Sequence, residues 1–187
     1  MPFARSRKRD PEARPTAWSA AIALIARRDL SEGEVRERLA RREYPEADID
    51  AAIERLSSRG YLDDARLAIE VARIRARRGG YGPARIRLDL RRRRFGGASI
   101  GAALSAAFPE GEEDRAAARA LARFARREAP PERPLPDPDG AWSDRPDPVR
   151  KWQQRQFRRL VNRGFSPTAA RKALFESRTA ERGSVNP

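Results

Sequence analysis

The sequence predicts an all-α protein, an elongated right-handed-type array of three three-helix repeat units, and three observations predict it. From residue 16 onward apolar side chains recur at spacings of three and four, the period of a helix with one buried face. Helix start and stop signals punctuate the chain. One pattern also occurs three times without gaps, over residues 39–53, 90–104 and 160–174. In that register the helix-end aromatics Tyr44, Phe95 and Phe165 coincide, as do Ile49 with Ile100 and the small residues Ala52, Ala103 and Ala173. The offsets are 51 and 70 residues, and the excess of 19 equals the length of the Pro- and Asp-rich segment 130–148. A helix hairpin cannot bury its apolar face alone, so each unit should lean on its neighbours.

The elements follow in order. Residues 1–15 have few apolar side chains and read as a disordered basic arm. Residues 16–62 form the first repeat. Trp18, Ile22 and Ile25 line its first helix, Ser31 and Glu34 make a capping box for the second, and Ile49, Ile53 and Leu56 line the third. Gly60 closes that helix in the left-handed conformation, Tyr61 is expected in the core, and Asp63 or Asp64 should cap the next helix. The second repeat, 63–109, places Leu67, Val71 and Ile74 on one stripe, starts its middle helix at Gly82-Pro83, and buries Ile86 and Leu90. The third, 110–178, has Leu121 and Phe124 facing inward, is interrupted by 130–148, and resumes with a basic helix and a last helix opened by Ser166-Pro167 and carrying Leu174 and Phe175. Trp142 in the linker is expected either to dock back or to stay with the linker, and 179–187 should fray.

Composition narrows the function. With no Cys and no His, there is no thiolate nucleophile, imidazole base, Ser-His-Asp triad or ordinary zinc site. No catalytic, cofactor or metal site is expected, and the chain does not read as an enzyme. It has no long apolar span and no apolar stretch behind the basic N-terminus, so a cytoplasmic protein without membrane contact is expected.

The formal charge of +14 favours a polyanionic partner, and its distribution says more than its total. Residues 1–15 carry +3, 16–62 carry −1, 63–97 carry +7, 98–147 carry −3 and 148–187 carry +8. Eleven arginines against four acids produce the +7 block. Arg66, Arg73 and Arg77 share a face apart from the apolar stripe, with Arg78 following, and Arg85, Arg92 and the set Arg87, Arg91, Arg94 lie outside the Ile86–Leu90 face. Together with Lys151, Arg155, Arg158, Arg159 and Arg163 of the C-terminal block, they are the candidate nucleic-acid or partner contacts. Trp152 reads as core.

On the motifs Gly60-Tyr61-Leu62-Asp63-Asp64-Ala65-Arg66-Leu67-Ala68 and Gly82-Pro83-Ala84-Arg85-Ile86-Arg87-Leu88-Asp89-Leu90, and on the three-unit plan, the chain resembles the RecX family over about residues 17–177. It departs from the family at Leu67, where phenylalanine is usual, and in the proline-rich insertion. The resemblance implies a non-enzymatic modular helical regulator that binds the RecA filament on single-stranded DNA. It implies inhibition of ATPase and strand exchange, and so modulation of recombination and the SOS response. The expected partners are RecA and single-stranded DNA, with double-stranded DNA as a second form, and the chain is expected to act as a monomer. The other reading is a free-standing helical-repeat protein that binds nucleic acid without a recombinase.

Overall fold

The computed structural model describes residues 15–132 and 147–183, with side chains to 177. Most of the basic arm, most of the 130–148 linker including Trp142, and 184–187 lie outside the described residues. Among the described residues all regular structure is helical: α1 (Ala17–Ile25), α2 (Glu32–Ala40), α3 (Glu46–Ser58), α4 (Asp64–Ile74), α5 (Pro83–Arg92), α6 (Gly97–Ala107), α7 (Glu112–Ala125), α8 (Pro148–Asn162) and α9 (Pro167–Gly183). A π-helical turn, Arg75–Gly79, extends α4. The last helix continues beyond residue 178, where fraying was expected. The chain divides into two compact units, Met1–Asp64 and Ala65–Pro187.

In the first unit α1, α2 and α3 enclose Ala21, Leu24, Leu30, Val35, Leu39, Ile49, Ile53 and Leu56. The capping box is present as read: Ser31 Oγ accepts from the Glu34 amide at 3.0 Å and Glu34 Oε2 accepts from the Ser31 amide at 3.1 Å. Asp64 does something the sequence did not disclose. Its Oδ1 accepts from the Glu32 amide at 2.9 Å, satisfying an orphan donor in the first turn of α2.

The second unit holds two cores. Ala68, Ala72, Ala76, Ile86, Leu90, Phe95, Ile100 and Leu104 form one, and Leu121, Phe124, Trp152, Leu160, Phe165, Ala170 and Leu174 anchor the other. The stripe expected on α4 is corrected here. Alanines 68, 72 and 76 form the buried row, Leu67 and Val71 flank it, and Ile74 is exposed. Four-residue spacing of small side chains allows close helix approach, which leaves the bulkier Ile74 on the outer face.

The threefold pattern has a backbone cause. At the ends of α2, α5 and α8 the amide of the aromatic residue bonds a leucine carbonyl five residues back: Tyr44 to Leu39 at 3.3 Å, Phe95 to Leu90 at 3.2 Å, and Phe165 to Leu160 at 3.3 Å. The preceding residues, Glu43, Arg94 and Gly164, have φ of 59°, 62° and 88°. Each end is therefore a Schellman motif, whose hydrophobic contact joins the aromatic to the leucine. Gly60 ends α3 similarly, with the Tyr61 amide bonding the Leu56 carbonyl at 2.9 Å.

One of these ends is built into its neighbour. The carbonyls of Arg163 and Gly164 accept from the amides of Gly82 at 2.8 Å and Ala84 at 3.1 Å, so the C-terminus of α8 caps the N-terminus of α5. Opposite helix-end partial charges meet there. A Cβ on Gly82 would lie under 3.0 Å from the Gly164 carbonyl group and the Phe165 nitrogen, and one on Gly164 would crowd the Arg85 backbone equally. Gly82→Ala or Gly164→Ala should therefore lower unfolding free energy by more than about 2 kcal/mol. Gly101→Ala, within α6 with open space around it, should raise it by about 0.5–1 kcal/mol. Equilibrium denaturation of the three variants checks the contrast, and equal shifts would remove the close approach as its cause.

Candidate nucleic-acid and partner interface

The predicted basic residues separate into paired and unpaired groups. Arg85 is half-buried, with Nε 3.5 Å from Asp89 Oδ1, and Arg75 approaches the other oxygen of the same carboxylate at 3.8 Å. Arg155 bonds Glu128 Oε1 at 2.8 Å through Nη2, and Arg159 lies 3.7 Å from Oε2. The expectation of outward, unengaged guanidinia is corrected for Arg85, Arg155 and Arg159. Asp89 is one helical turn beyond Arg85, whereas Glu128 arrives from across the linker.

Arg73, Arg77, Arg78, Arg87, Arg91, Arg92, Lys151 and Arg158 are exposed, and among the described residues no carboxylate lies in ion-pair range of them. Arg66 and Arg94 are also exposed. The structure thus brings Arg73, Arg77 and Arg78 together on α4 and its π-turn, and Arg87 and Arg91 one turn apart on α5. Lys151 and Arg158 stand on α8.

The structural-motif residues divide similarly. Gly60 takes the left-handed conformation, Gly82 is the buried cap of α5, and Pro83 occupies its first position. Tyr61, expected in the core, is 56% exposed. It is the residue after the left-handed turn, and Leu62 takes the core position instead. Asp63 is exposed, and Phe175 is 64% exposed, so Leu174 alone of that pair packs inward.

Glu128 organises the return of the chain into α8. Its carbonyl accepts from Trp152 Nε1 at 3.1 Å, and its carboxylate accepts from Arg155 and from Gln156 Nε2 at 3.1 Å. Trp152 is buried as read, and Gln156 is wholly buried. The Arg155 hydrogen bond, followed by that from Gln156, holds the Glu128 carboxyl below the usual carboxylate range against partial desolvation. The guanidinia of Arg119 and Arg115 do the same to Glu112, and Asp114 raises Lys172.

Sequence reading missed the basic residues at the end of α7. Arg123 donates to the carbonyls of Arg77 at 2.9 Å and Arg78 at 3.2 Å, while Arg163 donates to that of Gly79 at 2.7 Å. The π-turn, which opens the helical hydrogen-bond ladder, supplies these carbonyls. With Arg78, Arg126, Arg127 and Arg159 these two residues line one pocket of about 420 Å³. The net −3 of 98–147 hid it, because the acids cluster at the start of α7 and in the linker.

Residues 17–56 match the first three-helix domain of RecX and residues 63–104 match the second. The chain belongs to the RecX family. The regulatory protein RecX of Syntrophotalea carbinolica is 42% identical over 88 residues, 44% of this chain and 54% of that protein. That of Vibrio campbellii is 40% identical over 86 residues, 46% and 55% of the two chains, and that of Deinococcus radiodurans 34% over 115 residues, 62% and 54%. The chain spans about half the length of these curated relatives. The crystal structure of RecX from Lactobacillus salivarius aligns at TM-score 0.68 and 17% identity over 86% of this chain and 93% of that one. A second RecX crystal structure aligns at 0.63 and 22% identity over 82% and 68%. At such identities the likeness concerns the fold. Among the described residues of this RecX chain, no helix is long and apolar enough to cross a membrane, and no group of three or more acidic side chains could hold a metal.

A carboxyl held below its ordinary range contributes stability that is complete above that range and lost as pH falls through the lowered value. Glu128→Gln should therefore reduce stability at neutral pH and shrink the difference between neutral pH and a pH below the ordinary carboxylate range. Denaturant midpoints at the two pH values test this. An unchanged difference would mean that the Glu128 cluster does not contribute.

Proposed function

We propose that this RecX chain is a non-enzymatic regulator that binds the RecA filament on single-stranded DNA and inhibits its ATPase and strand exchange. Through that contact it modulates recombination and the SOS response, acting as a cytoplasmic monomer. The observation that carries the reading is the arginine surface of α4 and α5, within the matched second RecX domain, where Arg73, Arg77, Arg87 and Arg91 face solvent without a carboxylate partner among the described residues. Guanidinia left unneutralised on rigid helices suit phosphate oxygens or acidic side chains, which they bind bidentately. The names of the relatives support the regulatory part, and the surface chemistry supports a nucleoprotein partner.

Replacing Arg73, Arg77, Arg87 and Arg91 together with Ala should raise the concentration needed to inhibit RecA ATPase on single-stranded DNA while leaving helix content intact. If all four contact phosphates, the slope of log affinity against log salt for the strand should flatten by up to about 3. Unchanged inhibition would remove this surface from the site. Tight oligonucleotide binding by the wild type without any effect on filaments would favour a nucleic-acid-binding protein that acts without a recombinase.

A further inference from the structure

We propose that the arginine pocket of the second unit is a binding site for a multiply charged phosphate, of the size of a di- or triphosphate or of successive backbone phosphates in a strand. It is distinct from the α4–α5 surface and does not depend on the recombinase reading. Its lining is Arg78, Arg123, Arg126, Arg127, Arg159 and Arg163, with Gly79, Gly80, Ala120 and Phe124 between them. No carboxylate or amide side chain is among them. A volume near 420 Å³ falls in the range of about 300–1,000 Å³ typical of small-ligand sites.

The six guanidinia are of two kinds. Arg123 and Arg163 are pinned by the carbonyls of the π-turn, and Arg159 and Arg163 lie 4.3 and 5.6 Å from the centre of the Phe124 ring. These contacts engage only some of the five N–H donors that each guanidinium carries, and neutral carbonyls and ring faces do not cancel its charge. Arg78, Arg126 and Arg127 are exposed around the pocket, with no carboxylate in ion-pair range among the described residues. A fixed wall is thus combined with donors that can turn toward an anion, so part of the ordering cost of binding is already met by the fold.

The pairing along α7 sharpens the point. Its first turn is matched with cations, since Glu112 bonds Arg115 and Arg119, and Asp114 bonds Lys172 of α9. Matching stops before Arg123. Complementing the helix dipole would account for cations at the end of α7, but not for their convergence from the π-turn, α7 and α8 on one concavity. Glu128 stands nearest by sequence, yet its carboxylate is held by Arg155 and Gln156 and reaches only Arg159, at 3.7 Å. Like charges gathered in a concave, partly desolvated space repel, and a polyanion bound to the folded state relieves that repulsion. Arginine forks also match phosphate oxygens in pairs.

The experiment titrates the full chain with tripolyphosphate at fixed ionic strength, by calorimetry and by thermal unfolding, with sulfate at matched ionic strength as control. Saturable one-to-one binding with a rise in unfolding temperature is expected, and sulfate should bind at least tenfold more weakly. Arg126→Ala/Arg127→Ala should weaken tripolyphosphate at least tenfold, while Arg87→Ala/Arg91→Ala should leave it unchanged. Arg78→Ala reads the same site should the double variant fail to fold, and Arg126→Lys/Arg127→Lys, which keeps charge without the fork, should fall between. Displacement of tripolyphosphate by a single-stranded oligonucleotide identifies a strand as the phosphate source, and its absence identifies a free polyphosphate. No saturable binding, or equal weakening by the Arg87/Arg91 and Arg126/Arg127 variants, overturns the proposal. Inhibition of RecA is read separately, so either proposal can fail without the other.

Discussion

The second unit depends on the approach of two glycines, Gly82 and Gly164, at a distance that no Cβ permits. Through it the frayed carbonyls at the end of α8 become the acceptors for the unpaired amides at the start of α5, so two sets of orphan groups are satisfied by one contact. The contact also fixes what lies on either side. Arg163, one residue before Gly164, is aimed at the Gly79 carbonyl, and Tyr81, one residue before Gly82, sits 5.1 Å from its guanidinium. The α4–α6 core and the α7–α9 core are therefore joined by backbone hydrogen bonds with an arginine and an aromatic beside them.

Much of this was legible because it is local. The spacing of apolar residues located the helices, Ser31 and Glu34 announced their capping box, and the repeat register of Leu39, Leu90 and Leu160 with Tyr44, Phe95 and Phe165 reported a recurrent helix end. That register holds although only one of the three left-handed positions is glycine, which is why a search for Gly stop signals alone would have found one copy of three. Family membership and an all-helical fold of tandem three-helix domains followed from the same residues.

What the sequence hid is mostly a matter of distance along the chain. Glu128 neutralises arginines 27 and 31 residues away, so block charges could not reveal which cations are engaged. Arg123 and Arg163 find carbonyls 46 and 84 residues away, and no periodicity marks a π-turn. Ile74 was misplaced because apolar spacing identifies a stripe but not which edge of it meets a neighbour, and Tyr61 because it directly follows the left-handed turn at Gly60 and leaves the core position to Leu62. Alanines at 68, 72 and 76 carried less hydrophobic signal than the larger residues beside them and yet form the contact row.

The clamp between Glu128 and α8 has a topological consequence. Because both banks of the insertion are moored to each other by Trp152, Arg155 and Gln156, the intervening peptide is a closed detour rather than a hinge. Closing such a detour becomes costlier only with the logarithm of its length, about 0.6 kcal/mol for each doubling when the connection is flexible. Evolution can therefore lengthen, shorten or rewrite the proline-rich excursion while the helices it interrupts keep their addresses.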